Sequence, residues 1–163
     1  MKFDLNIKNG DFTFAHRIEL GKIFTTSKSE VEAFKKIFKC LYDIDIDFSH
    51  KDFKKAVIHF NEIVEGIKYW IEAETKMLKY EYTPEETSAG VSEYIKKVGE
   101  FGTVKAIAKA YGKDPDEILK WKYGKIFGIL YTDLEEHKYK KRLEKVIERK
   151  YKAKNKRRSR NIK

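Results

Sequence analysis

The 163-residue chain contains one cysteine and two prolines, and it has no long run of apolar residues. The single cysteine, Cys40, excludes a disulfide within the chain and is typical of proteins from a reducing compartment. A membrane-spanning helix needs about 20 mostly apolar residues, and the runs here are much shorter, so we expect no transmembrane segment. The first residues also lack the apolar core of a signal peptide. These absences argue against a membrane protein and against a disulfide-stabilised one.

Motifs of catalysis and of cofactor binding are missing as well. The four histidines are His16, His50, His59 and His137, and none lies three or four positions from another histidine or from the cysteine, as zinc sites require. The alternating Asp43, Asp45 and Asp47 lack the glycine and glutamate of a calcium-binding loop, and we interpret them as a polar turn. There is no glycine-rich phosphate loop and no Gly-x-Ser-x-Gly elbow. The sequence therefore predicts a protein that is not an enzyme and holds no metal or cofactor.

The net charge of +10 is distributed very unevenly. Residues 138–163 contain 14 of the 36 lysines and arginines, but only two acids, Glu144 and Glu148, which gives this segment a charge of +12. The rest of the chain has 22 basic and 24 acidic residues, a charge of −2. The basic character therefore belongs to the C-terminal segment, and the body of the protein is nearly neutral.

Helical periodicity dominates the chain after its first residues. Ser29 and Glu32 form a capping-box pattern that predicts a helix over about 29–43. A second capping pattern lies at Thr83 and Glu86, where Pro84 occupies the first turn. A longer helix is predicted over about 50–79 from apolar residues four and three apart, namely Phe53, Val57, Phe60, Val64, Ile67 and Ile71. Further helices are predicted over about 16–24, 83–98, 101–111, 114–121 and from Tyr123 onward.

The first 16 residues instead predict a β-hairpin. Phe3, Leu5 and Ile7 alternate with polar residues before an Asn9-Gly10 pair, and more apolar residues follow. Alternation on both sides of Asn-Gly is the strongest short-range signal for a hairpin, because both turn residues need a positive φ. We therefore expect strands at about 2–8 and 11–16.

These patterns predict a mainly α-helical protein of about five to six helices, with the N-terminal β-hairpin (about 2–16) and a basic C-terminal tail. With 41% hydrophobic residues, the chain can fold a single domain, which we place at residues 1–150. Beyond Lys150 only Ala153 and Ile162 are apolar, so we expect residues 151–163 to form a tail that does not pack.

The tail has three interpretations. It holds the cations of a phosphate-contacting arm, namely Lys154, Lys156, Arg157, Arg158 and Arg160. No aromatic residue follows Tyr151, so base stacking is not indicated, and there are too few apolar residues for membrane binding. A solvated end, a nucleic-acid contact and a contact with an acidic protein all stay open.

Residues 80–148 resemble a known family. The resemblance is carried by "FGTVKAIAKAYGKDPDEILKW", "YGKIFGILYTDLEEHKY" and "YKKRLEKV", and it covers less than half of the chain. These segments are similar to the small helical proteins coded in the tail modules of tailed bacteriophages, and especially to tail assembly chaperones. The shared pattern is a short helix led by glycine, an Asp-x-Ile-Leu-x-Trp segment, and a long helix with a basic end.

The resemblance implies a non-enzymatic helical protein. Such a protein binds tail-tube subunits or the tape-measure protein in the host cytoplasm before they polymerise. The resemblance implies a candidate contact surface for the partner, formed by Trp121, Tyr123, Phe127 and Tyr131. The alternative is that these four side chains belong to the core. The hairpin and the basic tail do not match the family, which leaves open a virion component near packaged DNA, such as a head–tail connector or tail-completion protein. A nucleic-acid-binding accessory protein and a homo-oligomer also stay open, whereas no membrane partner is expected.

Overall fold

The computed structural model describes residues 3–46, 49 and 51–160, of which 156–160 are described by their backbone alone. This part of the chain is mainly helical, as predicted, and it contains seven α-helices, a 3-10 turn and no strand. The turn is Ile7–Asn9, and the helices are α1 Phe14–Thr26, α2 Glu30–Tyr42, α3 Phe53–Met77, α4 Pro84–Ser88, α5 Val91–Tyr111, α6 Pro115–Leu119 and α7 Tyr123–Arg160. The chain divides into two units, residues 1–127 and 128–163.

The predicted starts of α2 and α4 are confirmed by their caps. The Ser29 hydroxyl accepts a hydrogen bond from the Glu32 N–H at 3.2 Å and begins α2, while the Glu32 carboxylate accepts from the Lys28 N–H. At α4 the capping box is complete, because Thr83 and Glu86 each accept the other's backbone N–H. These contacts are local, and local sequence is enough to specify them.

The helices after residue 83 differ from the prediction in one respect. The helix expected over 83–98 is interrupted, since α4 ends at Ser88 and Gly90 adopts a positive φ of 79° before α5 begins. The break expected at Gly99 is confirmed as a kink, because its φ of 55° and ψ of −150° are not helical. Only glycine reaches such angles without strain.

The predicted N-terminal hairpin is wrong. Gly10 does have a positive φ of 73°, but it ends the 3-10 turn instead of joining two strands. The backbone beyond it bonds to the residues before α7: the Phe14 N–H donates to the Trp121 carbonyl at 2.9 Å, and the Tyr123 N–H donates to the Phe12 carbonyl at 2.7 Å. Of the alternating apolar side chains, Ile7, Phe12 and Phe14 are buried, and Phe3 and Leu5 are half-buried. Their pattern therefore indicated burial without indicating a strand.

The N-terminal segment packs on α3. Ile7 is buried, and its carbonyl accepts a 2.7 Å hydrogen bond from the indole N–H of Trp70. This close approach requires a glycine on α3, because a Cβ at Gly66 would lie 2.9 Å from the Ile7 side chain. The segment thus covers one face of α3 along much of its length.

This packing changes which face of α3 is buried. The buried residues are Ala56, His59, Ile63, Gly66, Ile67 and Trp70. Of the predicted seam only Ile67 is fully buried, whereas Val57 and Ile71 are 37% and 46% exposed. Phe53 and Phe60 lie at the edge of a separate cluster around Phe34 and Phe38 on α2. The helix was predicted correctly, but its principal buried face lies beside the predicted seam.

Gly10→Ala tests the contact between the turn and the start of α7. A Cβ there would lie 2.7 Å from the backbone of Gly124, in addition to the strain of the positive φ. We expect the positive φ to cost about 1–2 kcal/mol and the overlap a further 1–3 kcal/mol of unfolding free energy, measured by urea denaturation.

The matched control is Gly90→Ala, where φ is also positive and no atom lies within 4 Å of the new Cβ. It should show only the cost of the positive φ. Equal losses in the two variants would contradict the close packing of Gly10 on Gly124.

Candidate functional site

The start of α7 is held by an aromatic cluster. Tyr123 is 3% exposed, and its ring centroid lies 5.1 Å from that of Trp70 and 5.3 Å from that of Phe12. Phe127, one turn further, contacts the same indole, with its ring centroid 5.1 Å from that of Trp70. In this cluster Phe12 of the N-terminal segment and Trp70 of α3 both contact Tyr123, the first residue of α7. These contacts hold the position at which α7 begins.

A half-buried ion pair lies beside this cluster. Arg17 donates two hydrogen bonds to the carboxylate of Glu74, at 2.8 and 2.6 Å, and the Tyr123 hydroxyl donates to one of its oxygens at 2.5 Å. The Glu74 hydrogen bond raises the pKa of Arg17, and burial together with the same carboxylate raises the pKa of Tyr123. Tyr123 therefore stays protonated and serves the fold.

The four residues of the predicted contact surface are placed differently from one another. Tyr123 belongs to the core, and Phe127 is half-buried against Trp70. Trp121 is half-buried between the Tyr111 ring and the Lys125 ammonium, whose nitrogen lies 3.3 Å from the indole centroid. Tyr131 is 37% exposed on α7. A contact role stays a prediction for the other three, whereas Tyr123 offers a partner almost no surface.

The exposed part of α7 carries a row of apolar side chains. Its five members are 42–64% exposed, and we call them the apolar stripe: Tyr139, Leu143, Val146, Ile147 and Tyr151. Residues three and four apart lie on one face of a helix, so these side chains form one face. Every residue from 142 to 155 is exposed. Leu143 and Val146, which the sequence placed in the packed domain, are therefore uncovered.

A row of cations runs beside the apolar stripe. We call it the cationic stripe, and its members follow the same spacing of four and three: Lys138, Arg142, Lys145, Arg149 and Lys152. Two of its lysines pair with acids on the same helix, Lys138 with Glu135 at 2.8 Å and Lys152 with Glu148 at 2.5 Å. Pairs this exposed contribute little to stability. These five cations were not predicted to form a surface together, although their spacing of four and three is visible in the sequence.

The predicted tail is helical as far as the structure describes it. The backbone of Lys154, Lys156, Arg157, Arg158 and Arg160 lies in α7, and the Lys154 side chain is exposed. Lysine, arginine and alanine are good helix formers, which explains why the helix continues past Lys150 without apolar contacts. Residues 161–163 lie outside the described residues.

Of the histidines that the structure describes, only His137 lies on α7. His16 closes the cap of α1, where burial lowers its pKa. His59 is buried on α3, where its Nδ1 donates to Glu62 at 2.9 Å and its Nε2 accepts from the Tyr42 hydroxyl at 2.6 Å. Burial raises the pKa of Tyr42 to about 12. His50 and Asp47 lie outside the described residues.

The described residues contain no grouped metal ligands and no helix that could cross a membrane. Within them, no group of three or more histidine, cysteine or acidic side chains is arranged to hold a metal ion. None of their helices combines the length and the apolar content needed to cross a bilayer. No protein-family model, curated protein or solved structure matches the chain.

Glu74→Gln tests the ion pair at the start of α7. The amide keeps the shape of the carboxylate but leaves Arg17, whose side chain is only 12% exposed, without its charged partner. We expect a loss of about 2 kcal/mol of unfolding free energy, measured by urea denaturation.

Glu72→Gln, on the exposed side of the same helix, is the control and should change stability by less than about 0.5 kcal/mol. If both variants lost the same amount, Glu74 would not anchor α7.

Proposed function

We propose that this is a non-enzymatic binding protein that holds a protein partner along the exposed part of α7. The observation that carries the proposal is the apolar stripe, five large side chains that stay 42–64% exposed on one helix face. Contiguous exposed apolar residues rimmed by polar ones mark interaction sites more often than isolated exposed residues do.

The energetics of α7 support a partner. An isolated helix gains little from its own hydrogen bonds in water, and most helical stability in proteins comes from packing an apolar face. Burying one leucine or valine side chain is worth about 1.5–3 kcal/mol. A partner that covered Leu143 and Val146 would therefore stabilise the helix and the complex together.

The particular role we propose is that of a tail assembly chaperone of a tailed bacteriophage. This rests on the resemblance of residues 80–148, which ends on the part of α7 that carries Tyr139, Leu143 and Val146. The partner would be a tail-tube subunit or the tape-measure protein, bound in the host cytoplasm before polymerisation. Retention in the virion as a connector or completion protein is the variant of this role.

The double variant Leu143→Ser/Val146→Ser tests the role of the apolar stripe. Both side chains are exposed, so the variant should keep its stability while its affinity for a co-expressed tail-tube or tape-measure protein falls at least about 10-fold, because central apolar contacts dominate most interfaces. Affinity is measured by titration calorimetry and folding by circular dichroism.

Val57→Ser/Ile58→Ser is the control, since it removes two exposed apolar side chains from α3. It should change the affinity less than about 2-fold. A full-strength complex with the α7 variant would place the partner elsewhere on the protein.

Nucleic-acid binding is the second candidate, and the cationic stripe is the observation that favours it. Its five regularly spaced cations would contact phosphates and release counterions on binding. For a protein-binding helix we expect only weak binding to a DNA duplex, lost between about 50 and 200 mM salt. Tight binding at the higher salt, measured by fluorescence anisotropy and abolished in Lys145→Gln/Arg149→Gln/Lys152→Gln, would establish the second candidate instead.

A further inference from the structure

We propose that the partner of α7 is an acidic amphipathic helix, which pairs with residues 139–154 as a coiled coil. This rests on the proposed function and names the chemistry of its partner. Three features carry it: the heptad register of Tyr139, Leu143 and Val146, the charges on both sides of that face, and Lys150 within the same register.

Three members of the apolar stripe, Tyr139, Leu143 and Val146, follow a heptad. If Leu143 is an a position, then Tyr139 and Val146 are d positions, and the next a and d positions are Lys150 and Ala153. These five residues are exposed along one face of about 22 Å of helix. A spacing of 3.5 residues keeps such a face in contact with a second helix, whose side chains insert between its own.

The positions beside this face carry almost only positive charge. Arg142 and Arg149 occupy g positions, and Lys140, Ile147 and Lys154 occupy e positions. Charges at e and g decide which helices pair. A parallel second copy would bring Arg149 against Lys154, and an antiparallel one would bring like-charged g positions together. Pairing with itself is therefore disfavoured, and a helix with glutamate or aspartate at e and g is the complementary partner.

Lys150 is a second reason to expect an acidic side chain on the partner helix. It lies at an a position, where a partner helix would cover its ammonium group. A covered charge without a counter-charge is strongly destabilising, whereas a lysine at a single a position can fix register when the partner supplies an acid. The same lysine argues against a lipid surface, since a helix that lies in a bilayer interface needs an unbroken apolar face.

The test uses the full chain and three synthetic peptides of four heptads. The acidic peptide has leucine or valine at a and d, glutamate at e and g, and one glutamate at the a position that faces Lys150. The permuted peptide has the same composition without the heptad, and the basic peptide has lysine at e and g. We expect the acidic peptide to bind at least about 10-fold more tightly than the permuted one, and the basic peptide not to bind, in fluorescence anisotropy near 0.15 M salt.

Reversing charge at the g positions sharpens the test. In Arg142→Glu/Arg149→Glu, affinity for the acidic peptide should fall at least about 10-fold, and the basic peptide should now bind. The matched control, Lys145→Glu/Lys152→Glu, makes the same change in net charge at c positions, which do not face a partner helix. It should change the affinity for the acidic peptide less than about 3-fold.

Three outcomes would overturn the inference. They are equal affinity for the acidic and permuted peptides, equal effects of the two charge reversals, and binding to a DNA duplex or to phosphatidylserine vesicles without binding to the acidic peptide. The proposed function fails separately, if Leu143→Ser/Val146→Ser keeps its tail-protein partner. A variant that loses that partner while the acidic peptide shows no preference would reject the acidic helix alone.

Discussion

The indole of Trp70 is the contact on which the rest of residues 1–127 depends. Its N–H donates to the Ile7 carbonyl at 2.7 Å, which fixes the N-terminal segment on α3, and its ring makes T-shaped contacts with Tyr123 and Phe127 at the start of α7. The segment around Ile7 and the first turn of α7 are far apart in the chain, and both contact the Trp70 side chain. Glu74, one turn further along α3, adds an ion pair with Arg17, whose guanidinium also lies 5.8 Å from the centroid of the Tyr123 ring. These contacts hold the first turn of α7 within residues 1–127.

Local features of the fold could be predicted from the sequence, and features that depend on distant residues could not. Ser29 and Thr83 cap helices as expected, because a cap involves four consecutive residues. The N-terminal alternation of Phe3, Leu5 and Ile7 was read as a strand, since a period of two does not reveal whether a sheet or a helix covers it. The buried face of α3 was also predicted wrongly, because it depends on a distant part of the chain. Gly66 is buried because Ile7, 59 positions earlier, lies against it.

The candidate site, too, was predictable only in part. Its place in the chain could be predicted, because the excess of lysine and arginine over acid lies entirely in residues 138–163. This segment was nevertheless predicted to divide at Lys150 into a packed helix and a tail, whereas α7 runs through that point to Arg160. Leu143 and Val146 look like core residues in any amphipathic pattern, and only their exposure in the folded chain identifies them as a surface. Tyr123 is the opposite case: the resemblance implied a place on the contact surface for it, and it is buried in the core.

The central claim is that the apolar side chains of α7 between Tyr139 and Tyr151, which are exposed in the described part of the chain, become covered when a partner helix binds. Amide hydrogen exchange of the full chain, with and without the acidic heptad peptide, measures this directly. The account predicts rapid exchange over 139–154 in the free protein and slow exchange in the presence of the peptide, while the amides of α3 around Trp70 stay protected throughout. Slow exchange over 139–154 in the free protein, at a level that the peptide does not change, would contradict it.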